Sequence, residues 1–125
     1  MPNPQLSAEE QLIRRYFDAF NRHDLEGVVA CFHDQAVVID GEGRRIQGKE
    51  AIRRRYQSSI SRYPDGQCEL CTLLSHGGKG VAESVFRGTR AQDGVAVEGR
   101  GAELLEIEAG KIKELRDYHR SPRHG

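Results

Sequence analysis

Leu12, Ile13, Tyr16, Phe17 and Phe20 recur at helical spacing and form one wide apolar stripe. Ser7 stands just before that stripe and opens SAEE, a capping box in which Glu10 is expected to reach back to the cap. Asn21 to His23 interrupts the pattern, and Asp24 is placed to cap a short second helix, LEGVVACF, with Leu25, Val28, Val29 and Phe32 apolar. Residues 36–40, AVVID, read as an apolar strand that ends on a carboxylate, and the polar turn DGEGRR follows. The stretch KEAIRRRYQSSI predicts a third helix with Ile52, Tyr56 and Ile60 on one face.

After Pro64-Asp65-Gly66 the period changes from helical to alternating. Residues 67–77, 80–90, 95–108 and 111–119 read as four strands, separated by HGGKG, RAQDG and EAGK, all turn chemistry. Helices segregated ahead of a run of strands imply an α+β fold in which an antiparallel sheet wraps over the helices. The 125 residues suit a single domain over 1–125, with short tails at 1–6 and 120–125.

Charge narrows the choice of partner. Lys plus Arg equals Asp plus Glu at 19 each, which argues against a broad nucleic-acid or anionic-membrane footprint. No apolar run approaches transmembrane length, and the opening MPNPQLSAEEQ has no charged-then-apolar leader. A cytoplasmic protein with no nucleic-acid or membrane partner is the expectation. Cys68 and Cys71 make one CxxC, but no second pair or matched histidines accompany it, and strand positions three apart point to opposite faces. Reduced structural thiols are expected for these and for Cys31. GEGRRIQGKE has the spacing of a phosphate-binding loop, yet Glu50 stands where Ser or Thr should hold magnesium. Arg53, Arg54 and Arg55 fan around a helix and read as a solvated face. His23, His33, His76 and His124 fall in turns, loop edges or the tail and read as surface residues.

Residues 16–56, YFDAFNRHDLEGVVACFHDQAVVIDGEGRRIQGKEAIRRRY, carry the pattern Tyr-x-x-Ala-φ-Asn-x-x-Asp-φ-x-Gly-φ-φ-x-φ-Phe, where φ is an apolar residue. A strand ending in Asp and then Gly-x-x-Ala-Ile-Arg-x-x-Tyr follow it. This run resembles the first half of a nuclear transport factor 2-like domain, and more narrowly the ketosteroid isomerases and SnoaL-like polyketide cyclases. GKIKELRDYH resembles the family's last strand, so the likeness spans roughly residues 7 to 119. It implies a cone-shaped curved sheet packed by three helices, an apolar pocket in its mouth, and often a homodimer.

The resemblance also implies a site. Asp40 matches the isomerase base at the end of the first strand, and Tyr16 matches the phenol of the oxyanion hole, with no gap between the two. Glu103 matches the isomerases' protonated aspartic acid if the EAGK hairpin is one residue shorter; otherwise the match is Ala102. Strand alternation favours Glu103, because it shares a face with Leu105 and Ile107. Asp117 matches the general acid/base of the cyclases, where the isomerases carry a small apolar residue. The cyclases in turn have histidine at the place of Glu103, so the chain combines two patterns. Leu115, Asp117 and His119 share one face, and Arg116 lies on the other, so the Asp-Arg-Asp cluster of an epoxide hydrolase is not assembled.

Carboxyl groups converging on a dry pocket cannot all ionise, so one is expected to stay protonated and donate while another accepts a proton. Such a site abstracts a proton next to a carbonyl and steadies the enolate. Phe20, Val38, Tyr56, Phe86, Leu105 and His119 are the expected contacts of a small apolar or carbonyl-containing ligand, with neither cofactor nor metal. A plainer reading stands beside each residue: Tyr16 as a core tyrosine, Asp40 as a turn aspartate, and the cone as a non-catalytic binding module.

Overall fold

The computed structural model describes residues 6–119; the expected tails, apart from Leu6, lie outside the described residues, as does His124. Helix α1, Ala8–Asn21, starts where Ser7 Oγ accepts the Glu10 amide at 3.1 Å. It buries Leu12, Ile13, Tyr16, Phe17 and Ala19. Asp24 caps α2, Leu25–Ala30, through the Gly27 amide. That helix is shorter than its apolar residues suggest. The Cys31 carbonyl accepts the Ile112 amide at 2.8 Å, and Phe32 pairs with Ile112, so sheet pairing captures Phe32 as the first residue of a strand.

Strand β1, Phe32–Ile39, is followed by β2, Arg45–Gln47, and by α3, Lys49–Arg62. Gly48 supplies the positive φ of 90° at the entrance to α3, and the phosphate-loop-like spacing serves only this strand-to-helix turn. The meander consists of β3, Gln67–His76, β4, Lys79–Thr89, β5, Ala96–Glu108, and β6, Lys111–Asp117. The six strands form one open sheet in the order β2-β1-β6-β5-β4-β3, antiparallel except where β1 runs parallel to β6. Register irregularities at Leu70/Thr72 in β3 and Glu106/Ile107 in β5 bend the strands. The three helices fill the hollow of this curved sheet, as expected for an α+β cone, and Phe32, Ile13, Ile52, Leu105 and Ile112 pack fully buried between them.

The line of α1 along β3 is fixed at both ends. Ser7 Oγ meets Ser75 Oγ at 3.0 Å at one end. At the other, the Asn21 amide mimics a strand: its Nδ2 donates to Cys68 O at 2.9 Å and its Oδ1 accepts the Cys68 amide at 2.7 Å. Cys68 is buried, so its backbone groups have little water to fall back on. Asn21→Ala is expected to lower unfolding free energy by about 2 kcal/mol in urea titration. A variant as stable as wild type would show that α1 is held by its apolar face alone.

Candidate active site

A cavity of about 230 Å³ opens between α1, α3 and the concave face of the sheet. Phe17, Phe20, Val38, Tyr63, Phe86 and Leu115 give it apolar walls, and Phe20 and Tyr63 both meet the Phe86 ring edge-on. Three titratable groups converge inside it. Glu103 of β5 lies directly opposite Asp117 of β6, and His119 follows just beyond the strand. His119 Nδ1 is 2.5 Å from Asp117 Oδ1 and 3.9 Å from Glu103 Oε1, while Nε2 is 2.9 Å from Ser84 Oγ. Asp117 Oδ1 also accepts the His119 amide. Glu103 is only 6% exposed, and its Oε2 has no hydrogen-bond partner.

These contacts push the groups apart electrically. Burial drives the Glu103 carboxyl up to about 8; His119 opposes the shift and the Asp117 charge adds to it. Burial alone would lower His119, yet the hydrogen bond and charge of Asp117, with Glu103, raise it overall. At neutral pH Glu103 is therefore a neutral acid beside the hydrogen-bonded Asp117–His119 pair. The other polar feature is a phenol pair at the back, with Tyr16 Oη 2.6 Å from Tyr56 Oη. Burial, chiefly, raises both phenols, so each keeps its proton. Within the pair one hydroxyl donates to the other, which leaves the second with a proton for a third group.

Asp40 is placed differently from the expectation of an acid aimed into the cone. It continues the inward phase of Val38, but the chain turns there: its amide donates to Arg44 O and its carbonyl accepts the Gly43 amide. Oδ1 then accepts the amides of Glu42 and Arg44, and Oδ2 accepts Arg44 Nε at 2.8 Å. Burial alone would raise this carboxyl, but those bonds from Arg44 and Glu42 outweigh it and hold it low. Asp40 is thus a buried turn aspartate, and it borders a second, outer cavity rather than the inner one. Leu105 is likewise corrected from wall to core, since it pairs with Leu115 and is fully buried below the cavity. Tyr16, Phe20, Val38, Tyr56, Phe86, Glu103, Asp117 and His119 all line the inner cavity, as expected from sequence.

Several lining residues escaped the sequence. Arg55 borders the cavity instead of belonging to a solvated face, and Ser59, Tyr63 and Cys68 join it. The helical spacing of Arg55, Ser59 and Tyr63 was available, but nothing local says which face of α3 meets a hollow. Cys68, Glu103 and His119 bring one donor atom each within 4.8 Å of one another. A tetrahedral zinc site would need them about 3.5 Å apart. The imidazole nitrogens already contact Asp117 and Ser84, and burial pushes the Cys68 thiol up to about 12, so this group fits a metal poorly as it stands. Cys31, Cys68 and Cys71 are free thiols. Arg116 points away from the cavity to Glu106 and Glu114.

The SnoaL-like domain model matches residues 13–115. The chain belongs to the SnoaL-like domain family. Similar solved folds include a candidate polyketide cyclase of Xanthomonas campestris pv. campestris, with 20% identity, TM-score 0.83, and 89% of this chain and 90% of that one covered. A candidate SnoaL-like polyketide cyclase of Jannaschia sp. CCS1 has 14% identity and TM-score 0.81, covering 93% and 88%. AclR, a candidate hydroxylase of Streptomyces galilaeus, has 18% identity and TM-score 0.77, covering 90% and 78%. At these identities the likeness concerns the fold. No protein of curated function matches the chain. Among the described residues no helix is long and apolar enough to cross a membrane.

A raised carboxyl leaves a thermodynamic trace in this SnoaL-like protein. Glu103 stays protonated in the folded state up to about 8, whereas in the unfolded chain it ionises near its ordinary 4.5. The folded state thus holds one more proton between those values, so Glu103 subtracts about 1.4 kcal/mol of stability per pH unit across that window. In chelator-treated protein, Glu103→Gln is expected to gain stability over wild type as pH rises from about 4.5 to about 8, with no further gain above. A constant difference from pH 4 to 9 in urea titrations, about the range bracketing both values, would mean that Glu103 ionises normally.

Proposed function

We propose that this SnoaL-like protein catalyses proton transfer next to the carbonyl of a small substrate, in the manner of an isomerase or cyclase and without a cofactor. The observation that carries the reading is the meeting of Glu103, Asp117 and His119 in one aromatic-walled cavity, with Glu103 Oε2 unpartnered and buried. Asp117 is the base. Its Oδ1 is held by His119, and its Oδ2 takes no hydrogen bond from the described residues, which leaves that oxygen for the substrate. The carbon–hydrogen bond beside the carbonyl breaks, its proton passes to Asp117, and its electron pair becomes the enolate double bond. Charge then grows on the carbonyl oxygen. The neutral Glu103 carboxyl donates a hydrogen bond to that oxygen, and the free proton of the Tyr16–Tyr56 pair is a second donor. His119 holds Asp117 Oδ1 through its ring and its amide and so fixes the orientation of the carboxylate.

Returning the proton to a different carbon isomerises the substrate, and attack of the enolate carbon on a second carbonyl closes a ring. A cavity of about 230 Å³ with one open end favours a small carbonyl unit over a fully enclosed polycycle. Asp40, with its carboxylate committed to the turn and Arg44, has no part in the transfer.

Deuterium uptake beside the carbonyl tests this without knowledge of the natural substrate. Wild type is expected to accelerate exchange in at least one of a panel of small ketones and oxo acids. Asp117→Asn should lower that rate about a hundredfold, and Asp40→Asn should leave it unchanged at temperatures where the variant is folded. No acceleration across the panel, with a ligand still bound in the cone, would favour a binding module. Full activity in Asp117→Asn would remove the assigned base.

A further inference from the structure

The outer cavity, of about 410 Å³, adjoins the inner one; Arg55, Ser59, Tyr63, Asp117 and His119 border both. One face of α3 forms its long wall. Arg55, Ser58, Ser59 and Arg62 fall at i, i+3, i+4 and i+7, so two guanidinium groups and two hydroxyls project from a single stripe. The acids facing that stripe are already engaged. Asp40 and Glu42 are both bonded by Arg44, and Asp117 by His119. Arg55 comes no nearer to a carboxylate than 3.9 Å, from Asp40 Oδ2, which is beyond hydrogen-bond reach and already filled by Arg44 Nε. Arg62, Ser58 and Ser59 make no side-chain hydrogen bond or ion pair with the described residues. With the Arg44 and His119 pairs set aside, two cationic forks remain at the entrance to the catalytic cavity.

We propose that the outer cavity binds an oxyanion carried by the substrate, either a carboxylate or a phosphate, so that the substrate is a carbonyl compound with an anionic tail. The inference rests on the proton-transfer reading for the carbonyl end and on the α3 stripe for the tail. The guanidinium forks of Arg55 and Arg62 match the paired oxygens of such a group, and the two serine hydroxyls supply further donors. The tail held there points the rest of the molecule past Tyr63 toward Asp117. It also gives Arg55, which is partly withdrawn from water and has Asp40 Oδ2 only at 3.9 Å, an anion within hydrogen-bond reach.

Binding and turnover are tested separately. In protein carrying nitrogen-labelled arginine, inorganic phosphate and acetate are titrated in turn while the side-chain Nε–H resonances are followed. At least one of them is expected to shift Arg55 and Arg62 in a saturable manner and to leave Arg54, on another side of α3, in place. Response to phosphate alone points to a phosphate-bearing tail, and response to acetate alone to a free oxo acid. Arg62→Gln should abolish the saturable shift at Arg55. Deuterium exchange is then compared for levulinate and the uncharged methyl propyl ketone. Wild type should favour levulinate about tenfold, and Arg62→Gln should lose that preference. Absence of saturable shifts with both anions overturns the anion site, whatever the exchange assay gives. If saturable shifts are seen and no compound of the panel exchanges, the anion site stands and the proton-transfer reading falls.

Discussion

Two carboxyl groups face each other across neighbouring strands, and the structure depends on their not both being charged. Glu103 and Asp117 occupy paired positions of β5 and β6 on the concave side of the sheet. Water is nearly excluded from Glu103, and like charges directly opposite on a sheet repel. The conflict is settled by giving each acid a different partner. His119 folds back over the strand end to hydrogen-bond Asp117, and Glu103, left with an unpartnered oxygen, keeps its proton. Gly101 makes that fold possible. A Cβ there would come within 2.5 Å of His119 Cα and 2.6 Å of Tyr118 O, so only a residue without a side chain lets the last segment lie so close to β5. The division of protons between the acids is thus written into the backbone.

Register carries the same constraint along the sheet. β5 and β6 pair regularly from Glu103 to Glu106, then slip by one residue, with Lys113 left over, before the hairpin closes. Without that irregularity the hairpin and the inward phase of Glu103 could not both be kept. α1 and α3 complete the enclosure by placing their aromatic faces against this floor, where Tyr16 and Tyr56 share a hydrogen bond far from water. The cone walls are core residues first: removing one loosens the fold and the cavity together.

Much of this was legible in the sequence, because most of it is periodic. The stripe of α1, the alternation of β5 and β6 and the turn residues between strands specify the elements, and alternation favoured an inward Glu103 and put Leu115, Asp117 and His119 together on one face. Two kinds of information were not periodic. Where a chain leaves its strand decides the role of the last residue: Asp40 is in phase with Val38, but the turn to Arg44 rotates its carboxylate out of the cone. Phase also does not give depth, so Leu105 lies on the right face yet beneath the cavity. Arg55 shows the converse, a member of a basic triplet that tertiary packing brings to the junction of two cavities.

Glu103 is a neutral acid at neutral pH because the cone desolvates it opposite Asp117. Selective carbon-13 labelling of glutamate side chains, with the Glu103 carboxyl resonance identified by its loss in Glu103→Gln, measures this directly. This resonance is expected to titrate near 8. An inflection close to the ordinary value of 4.5 would contradict it, since both acids would then be charged and the cavity would have no carboxyl proton to donate.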